Sequence, residues 1–312
     1  MPIVGHRILA LTALVSLATA CRDAAAPRTP SEGVAPTVPA PPPAATTADA
    51  AIYLASADGG APTLLTRGYD PAWAPDGRRL AFHRGAGAYG SVYVIDADGG
   101  GERRLGDGYQ PSWSPDGSRI AVTGPEGITV LRADGSSVTT IVRHGFAAER
   151  YRAVSTAVGT PVWSPDGQRI AVMLFDVDHG SSLEILVVNA DGSDLRVAVV
   201  ARAETGGPSK PAWSPDGTRL AYSNWEGGAG LTVHDLRGGA ADVRFADPAG
   251  VGYVDAPAWS PDGATLAFTI PVPSGGHEIW SMPAAGGSAR LLIRDGSSPA
   301  WSPDGARIAF VR

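Results

Sequence analysis

The chain has one cysteine, Cys21, so no disulfide can close within it and a folded domain has to rest on its apolar core. Positive charge is also short. Lys and Arg number 25 against 31 Asp and Glu, a net charge of −6, and that sign repels a phosphate backbone, which excludes nucleic acid as the expected partner. No apolar run reaches the ~20 residues of a membrane-spanning helix. The longest, Ile8 to Ala18, falls well short. There is no Gly-x-Ser-x-Gly elbow, no Gly-rich phosphate loop and no closely spaced His or Cys pair of the zinc type. On these grounds neither a catalytic residue nor a cofactor is expected. Glycine and proline, in contrast, are plentiful at 40 and 27, which calls for many tight turns, a disordered segment, or both.

The amino terminus reads as an export signal over residues 1–20, with Arg7 ahead of the apolar run and small residues after it. Leu17-Ala18-Thr19-Ala20-Cys21 resembles the bacterial lipobox, in which the cysteine is lipidated and becomes the mature terminus. Residues 21–50 follow as a lipidated Cys21 and a tether. More than half the positions between Arg22 and Ala50 are Pro or Ala, with no aromatic ring and no apolar periodicity, so this stretch cannot bury a core and favours extended conformations. The expected location is the periplasmic face of an inner or outer membrane.

From residue 51 to 312 the sequence repeats. Pro-x-Trp-(Ser/Ala)-Pro-Asp-Gly-x-x-(Leu/Ile)-Ala begins at Pro71, Pro111, Pro161, Pro211, Pro257 and Pro299. A period of 40 to 50 residues points to a propeller or a solenoid. Proline presets the first turn angle, Asp tolerates the second and Gly accepts the left-handed third, so Ser-Pro-Asp-Gly joins two antiparallel strands tightly. A second apolar stretch follows, ending at Asp98-Gly99, Asp134-Gly135 or Asp191-Gly192, and then a fourth short one; each repeat therefore supplies four strands. The strands are nearly continuous apolar runs, as in sheets buried on both faces. Trp73, Trp113, Trp163, Trp213, Trp259 and Trp301 are thus expected between blades. The last repeat stops after two strands, and Ile52-Tyr53-Leu54 with Thr63-Leu64-Leu65 supplies a third and fourth, so the two ends should complete one blade and close a ring.

These repeats resemble the PD40 (WD40-like) repeat of the TolB family propeller. The resemblance implies an all-β, six-bladed β-propeller and a non-enzymatic binding or scaffold module of the cell envelope. It further implies an envelope protein as partner, of the peptidoglycan-associated lipoprotein kind, or a cell-wall glycan, with the propeller a monomer. The chain departs from TolB in having no α/β domain ahead of the propeller and in its lipidation signal. A carbohydrate-binding propeller or a metal-dependent polysaccharide lyase-type propeller enzyme is the alternative.

One face of the disc carries uniform Pro-Asp-Gly and Asp-Gly turns, so binding loops are expected on the other. The Arg143 to Gly159 connection brings His144, Arg150, Tyr151 and Arg152 together, and with Tyr89, Trp225 and Tyr253 these are the candidate partner-binding residues. His83, His144, His179 and His277 are the weak candidates for a metal site. Lipidation at Cys21 has a direct consequence: Cys21→Ala should move the protein from the membrane fraction to the soluble exported fraction, and unchanged membrane retention after salt and carbonate washing would contradict the anchor.

Overall fold

The computed structural model describes residues 50–85, 90–146, 156–176, 181–200, 210–224, 230–238, 242–246, 254–273 and 275–312. Among them every regular element is a β-strand. The first two are β1 (Ala51–Ser56) and β2 (Thr63–Arg67). Blade one is β3 (Tyr69–Trp73), β4 (Arg79–Arg84), β5 (Ser91–Asp96) and β6 (Arg103–Asp107), paired antiparallel in that order. Blades two to five repeat it as β7 (Tyr109–Trp113) to β10 (Val138–Arg143), β11 (Thr156–Trp163) to β14 (Arg196–Val200), β15 (Ala212–Trp213) to β18 (Val243–Ala246) and β19 (Asp255–Trp259) to β22 (Arg290–Ile293). The sixth takes β23 (Ser297–Trp301) and β24 (Arg307–Val311) from the end of the chain and β1 and β2 from the beginning. Its central pairing runs from Ile52 opposite Val311 to Ser56 opposite Arg307, and Ala51 and Arg312 exchange both backbone hydrogen bonds at 2.8 and 2.9 Å. The seam expected from the incomplete end repeats is therefore a full four-stranded sheet, and the fold is a closed six-bladed propeller.

Burial explains why the strands are apolar throughout. The core divides into six clusters, and each straddles two consecutive blades. Between blades three and four, for example, Ala171, Ile185, Val187 and Val199 meet Trp213, Leu220 and Tyr222. The repeated tryptophans sit in these seams. Trp73, Trp213 and Trp259 also donate their indole N–H to the preceding blade, to the carbonyls of Ala300, Val162 and Ala212 at 3.2, 3.0 and 3.2 Å. One side chain thereby supplies both apolar area and a directional bond across the seam.

The Ser-Pro-Asp-Gly turns have the geometry their residues demand. All six glycines, from Gly77 to Gly305, lie at φ between 66 and 70°, the left-handed region that a Cβ disfavours. In blade two the Ser114 hydroxyl donates to Asp116 at 2.6 Å and accepts the Arg119 N–H at 2.9 Å. That hydroxyl bond above all, with the Ser118 N–H, holds the Asp116 carboxyl at about 2.

Several strands extend further than the sequence suggested, because hairpin partners keep pairing until their backbone reaches solvent. His83, a candidate for a metal site among the binding loops, lies within β4 and is not a loop residue. Likewise β11 begins at Thr156, within the long connection expected to run to Gly159.

Blade one has Ala74 where the other five have the turn serine, and both kinds of residue are buried. Ser114→Ala should lower unfolding free energy by roughly 1–3 kcal/mol, since it strands a buried N–H, and Ala74→Ser should raise it by about 1 kcal/mol. Urea unfolding of the full chain measures both; equal midpoints for the three proteins would show that the hydroxyl contributes nothing.

Candidate functional site

Most of the residues expected to bind a partner, namely Tyr89, Arg150, Tyr151, Arg152, Trp225 and Tyr253, lie outside the described residues, as do His179 and Cys21. The remaining three histidines go to three different places. His144 follows β10, and both its ring nitrogens are engaged. Nδ1 accepts the Val158 N–H at 3.2 Å, so the proton is on Nε2, which donates to the Gly124 carbonyl at 3.0 Å. It pins the connection between blades two and three. His277 opens β21 (His277–Pro283) and is exposed, beside a small cavity that it shares with Asp295, Ser297 and Arg312. Only His83 reaches the ring's centre. Among the described residues, no three His, Cys, Asp or Glu side chains group closely enough to hold one metal ion.

The centre is a channel with a cavity of about 260 Å³, and the six prolines of the repeat, Pro71 to Pro299, form its collar. The innermost strands follow one another around it in the order β3, β7, β11, β15, β19, β23 and back to β3. Immediately before each collar proline stands a residue on the loop-face side: Asp70, Gln110, Thr160, Lys210, Ala256 and Ser298. Five of these have left-handed φ values of 47 to 53°, although none is glycine, and the strand register slips across each. A residue ahead of proline is ordinarily extended, so this bulge is a strained feature repeated around the ring. Three of the turned-in N–H groups, those of Thr160, Ala256 and Ser298, bond side-chain oxygens. Thr160 N–H bonds Gln110 and Thr123 side-chain oxygens at 3.1 Å, and Ser298 N–H bonds Thr269 Oγ1 at 3.0 Å. Lys210 departs from the pattern, in the blade whose innermost strand is only two residues long.

Lys210 and Asp70 belong to opposite blades, four and one, yet Lys210 Nζ lies 3.7 Å from Asp70 Oδ1. The ion pair spans the mouth of the channel. On its other side Asp70 Oδ2 is 3.6 Å from His83 Nδ1. The His83 ring stacks on Tyr69 at 5.4 Å and meets the edge of Tyr109 at 6.1 Å. Burial pushes the His83 imidazole below its ordinary range; the Asp70 carboxylate pulls it back upward, and Lys210 lowers it further. At neutral pH the mouth therefore holds one fixed cation, one fixed anion and one neutral imidazole, which together present donors and acceptors to a polar group entering from the loop face.

Sequence reasoning singled out His83 but missed Asp70 and Lys210. The signal was in the repeat. Aligned copies share Pro, Trp, Asp and Gly, whereas two positions vary in charge and size: the residue before the collar proline, and the residue ten after the tryptophan, which reads His83, Thr123, Met173, Ser223, Thr269 and Val311. The fold brings the two positions together, as with Asp70 Oδ2 at 3.6 Å from His83 Nδ1, beside the pairing of Tyr69 with His83.

Comparison with known proteins agrees with this architecture. Residues 178–312 match the TolB beta propeller domain family, PD40. No curated protein sequence matches the chain. Among solved structures, a TolB-designated protein of Agrobacterium tumefaciens superposes with a TM-score of 0.64 at 18% identity, over 84% of this chain and 97% of that one. TolB of Acinetobacter baumannii gives 0.55 at 15% identity over 84% of this chain; the match spans 63% of the TolB chain. An oligogalacturonate lyase of Vibrio parahaemolyticus gives 0.50 at 14% identity, over 84% and 97% of the two chains. Likenesses this remote establish fold alone, and they include both TolB and an enzyme. Residues 178–312 thus match the TolB propeller family, and the described residues form six four-stranded blades closed into a propeller.

Proposed function

We propose that this protein is a non-enzymatic binding module of the bacterial cell envelope, which engages a protein partner through the loop face, with the mouth of the channel as its polar anchor. One observation carries the reading: Asp70, Lys210 and His83 converge, partly buried, at the centre of a ring that needs none of them for packing. The equivalent positions elsewhere hold Ala256, Ser298 and Val311 in the same backbone frame. Partly buried charged groups gathered at a concave centre are characteristic of recognition sites. The likeness to TolB favours an envelope partner of the peptidoglycan-associated lipoprotein kind. Export, a lipid on Cys21 and the 22–50 tether would then hold the ring at a membrane surface within reach of that partner.

The test is affinity capture from a detergent-solubilised envelope using the full chain, a double variant Asp70→Asn with Lys210→Met, and a turn-face control, Asp134→Ala. The double substitution removes both charges together, so neither remains buried alone. We expect a protein retained by the parent and the control and lost by the double variant. Identical retention by all three, or none by any, would remove the mouth from the binding surface. Incubation with oligogalacturonate and manganese is expected to give no unsaturated product; product formed in proportion to protein would replace the binding reading with a lyase.

The mouth also has a pH signature. The folded His83 imidazole binds its proton less tightly than an unfolded one, so the unfolded chain takes up more protons just below the ordinary histidine pKa of about 6.5. Stability contributed by neutral His83 is therefore complete above that value and declines as pH falls through it. Thermal midpoints recorded from pH 7.5 to roughly 5 should fall for the parent and fall less for His83→Gln; parallel curves would show that burial of His83 has no such effect.

A further inference from the structure

On the opposite face the repeat carries a second device. The second strand of a blade opens with an arginine, three residues after the turn aspartate, and its guanidinium lies over the tryptophan ring of the next blade. Arg79 covers Trp113 at 5.1 Å, Arg119 covers Trp163 at 4.6 Å and Arg169 covers Trp213 at 5.0 Å. Arg219 covers Trp259 at 4.8 Å and Arg307 covers Trp73 at 4.6 Å. The same guanidinium groups reach their own turn carboxylates, as in Arg79–Asp76 at 2.7 Å and Arg169–Asp166 at 3.3 Å. They also reach the turn carbonyl of the following blade: Arg307 donates to Gly77 O at 3.2 Å and Arg169 to Gly217 O at 3.5 Å. Three features thus define one guanidinium position: an indole face, a carboxylate and a glycine carbonyl.

Blade five has Thr265 in place of the arginine, and the other three features remain. Asp262 is exposed, its carboxylate bonded to Ser260 Oγ at 2.5 Å and to Ala264 N–H at 3.0 Å, and among the described residues it forms no ion pair. Trp301 has no guanidinium over it among the described residues. Its exposure reflects this: the five covered tryptophans are no more than 8% exposed, whereas Trp301 is only partly buried. Gly305 closes the next turn with the same left-handed φ, 69°, as its counterparts.

We infer that the Asp262–Trp301 seam is a binding site for an arginine side chain presented by a partner protein. Arginine fits better than lysine because a planar guanidinium can stack on the indole while its edge donates to the carboxylate and the carbonyl; a lysine ammonium can satisfy the charge but cannot stack. The chain's net charge of −6 also favours approach by a cationic segment. Because the site is on the turn face, it is independent of the mouth, and failure of either leaves the other intact.

The chain contains eight tryptophans, so the experiment follows indole N–H resonances of the full chain labelled with nitrogen-15 tryptophan, with the Trp301 signal identified by its disappearance in Trp301→Phe. The probe is acetyl-arginine-amide, with acetyl-lysine-amide alongside. The expected result is a saturable shift of the Trp301 signal, with an apparent affinity for the lysine probe several-fold weaker. Thr265→Arg supplies the guanidinium from within the chain, so its Trp301 signal should already be displaced and should no longer respond. Asp262→Asn leaves the indole in place and should weaken the response several-fold; it keeps the test decisive if Thr265→Arg does not fold. A parent that shows no saturable shift, or a Thr265→Arg protein that responds as the parent does, would overturn the site.

Discussion

Every blade of this protein is a sheet with two apolar faces, and the rest of the structure depends on that constraint. Such a sheet cannot bury itself. Each seam therefore has to supply apolar cover for both of its blades, and a row of blades satisfies the condition at its ends only by closing on itself. The six clusters, one to each seam, are the result. Closure also accounts for the odd position of β1 and β2. They complete a sheet begun by the last residues of the chain, so the final seam is held by a ladder of backbone hydrogen bonds as well as by packing.

Within that ring the residues divide by what each position tolerates. Pro, Trp, Asp and Gly recur because each meets a local demand: a collar wall, a seam filler, a turn acceptor, a left-handed angle. Where the frame makes no demand on the side chain, the copies diverge. The position before the collar proline is such a place, since its side chain reaches the mouth of the channel while the backbone bulge is satisfied by neighbouring side chains. The two faces consequently differ in character. The turn face repeats a carboxylate, a guanidinium and an indole almost without change, and its single departure, Thr265, is conspicuous for that reason. The loop face has connections of unequal length around a mouth crossed by one ion pair.

The candidate site is only partly legible in the sequence. His144 looks like a partner or metal residue in the sequence because it sits in the longest insertion, yet its two ring nitrogens are used to pin that connection to Gly124 and Val158. His277 is on the loop face but remote from the centre. Asp70 and Lys210 are 140 positions apart in a chain whose repeats give no hint that they meet. Comparing the copies position by position would have marked both as variable polar residues in a constant frame; it would not have shown that a lysine side chain reaches across the ring to the opposite blade.

The amino-acid sequence by itself determined the number of blades, the four strands of each, the turn chemistry, the place of the tryptophans and the completion of one blade by both ends. These are consequences of local rules, namely turn angles and apolar patterning, repeated at a readable period. Only the tertiary structure decided which side chains meet across the channel, which strands continue past their apparent ends, and which tryptophan lacks its arginine cover. Contacts across a closed ring join residues from distant repeats, and their geometry follows from how six blades pack together rather than from any property of the segments that carry them.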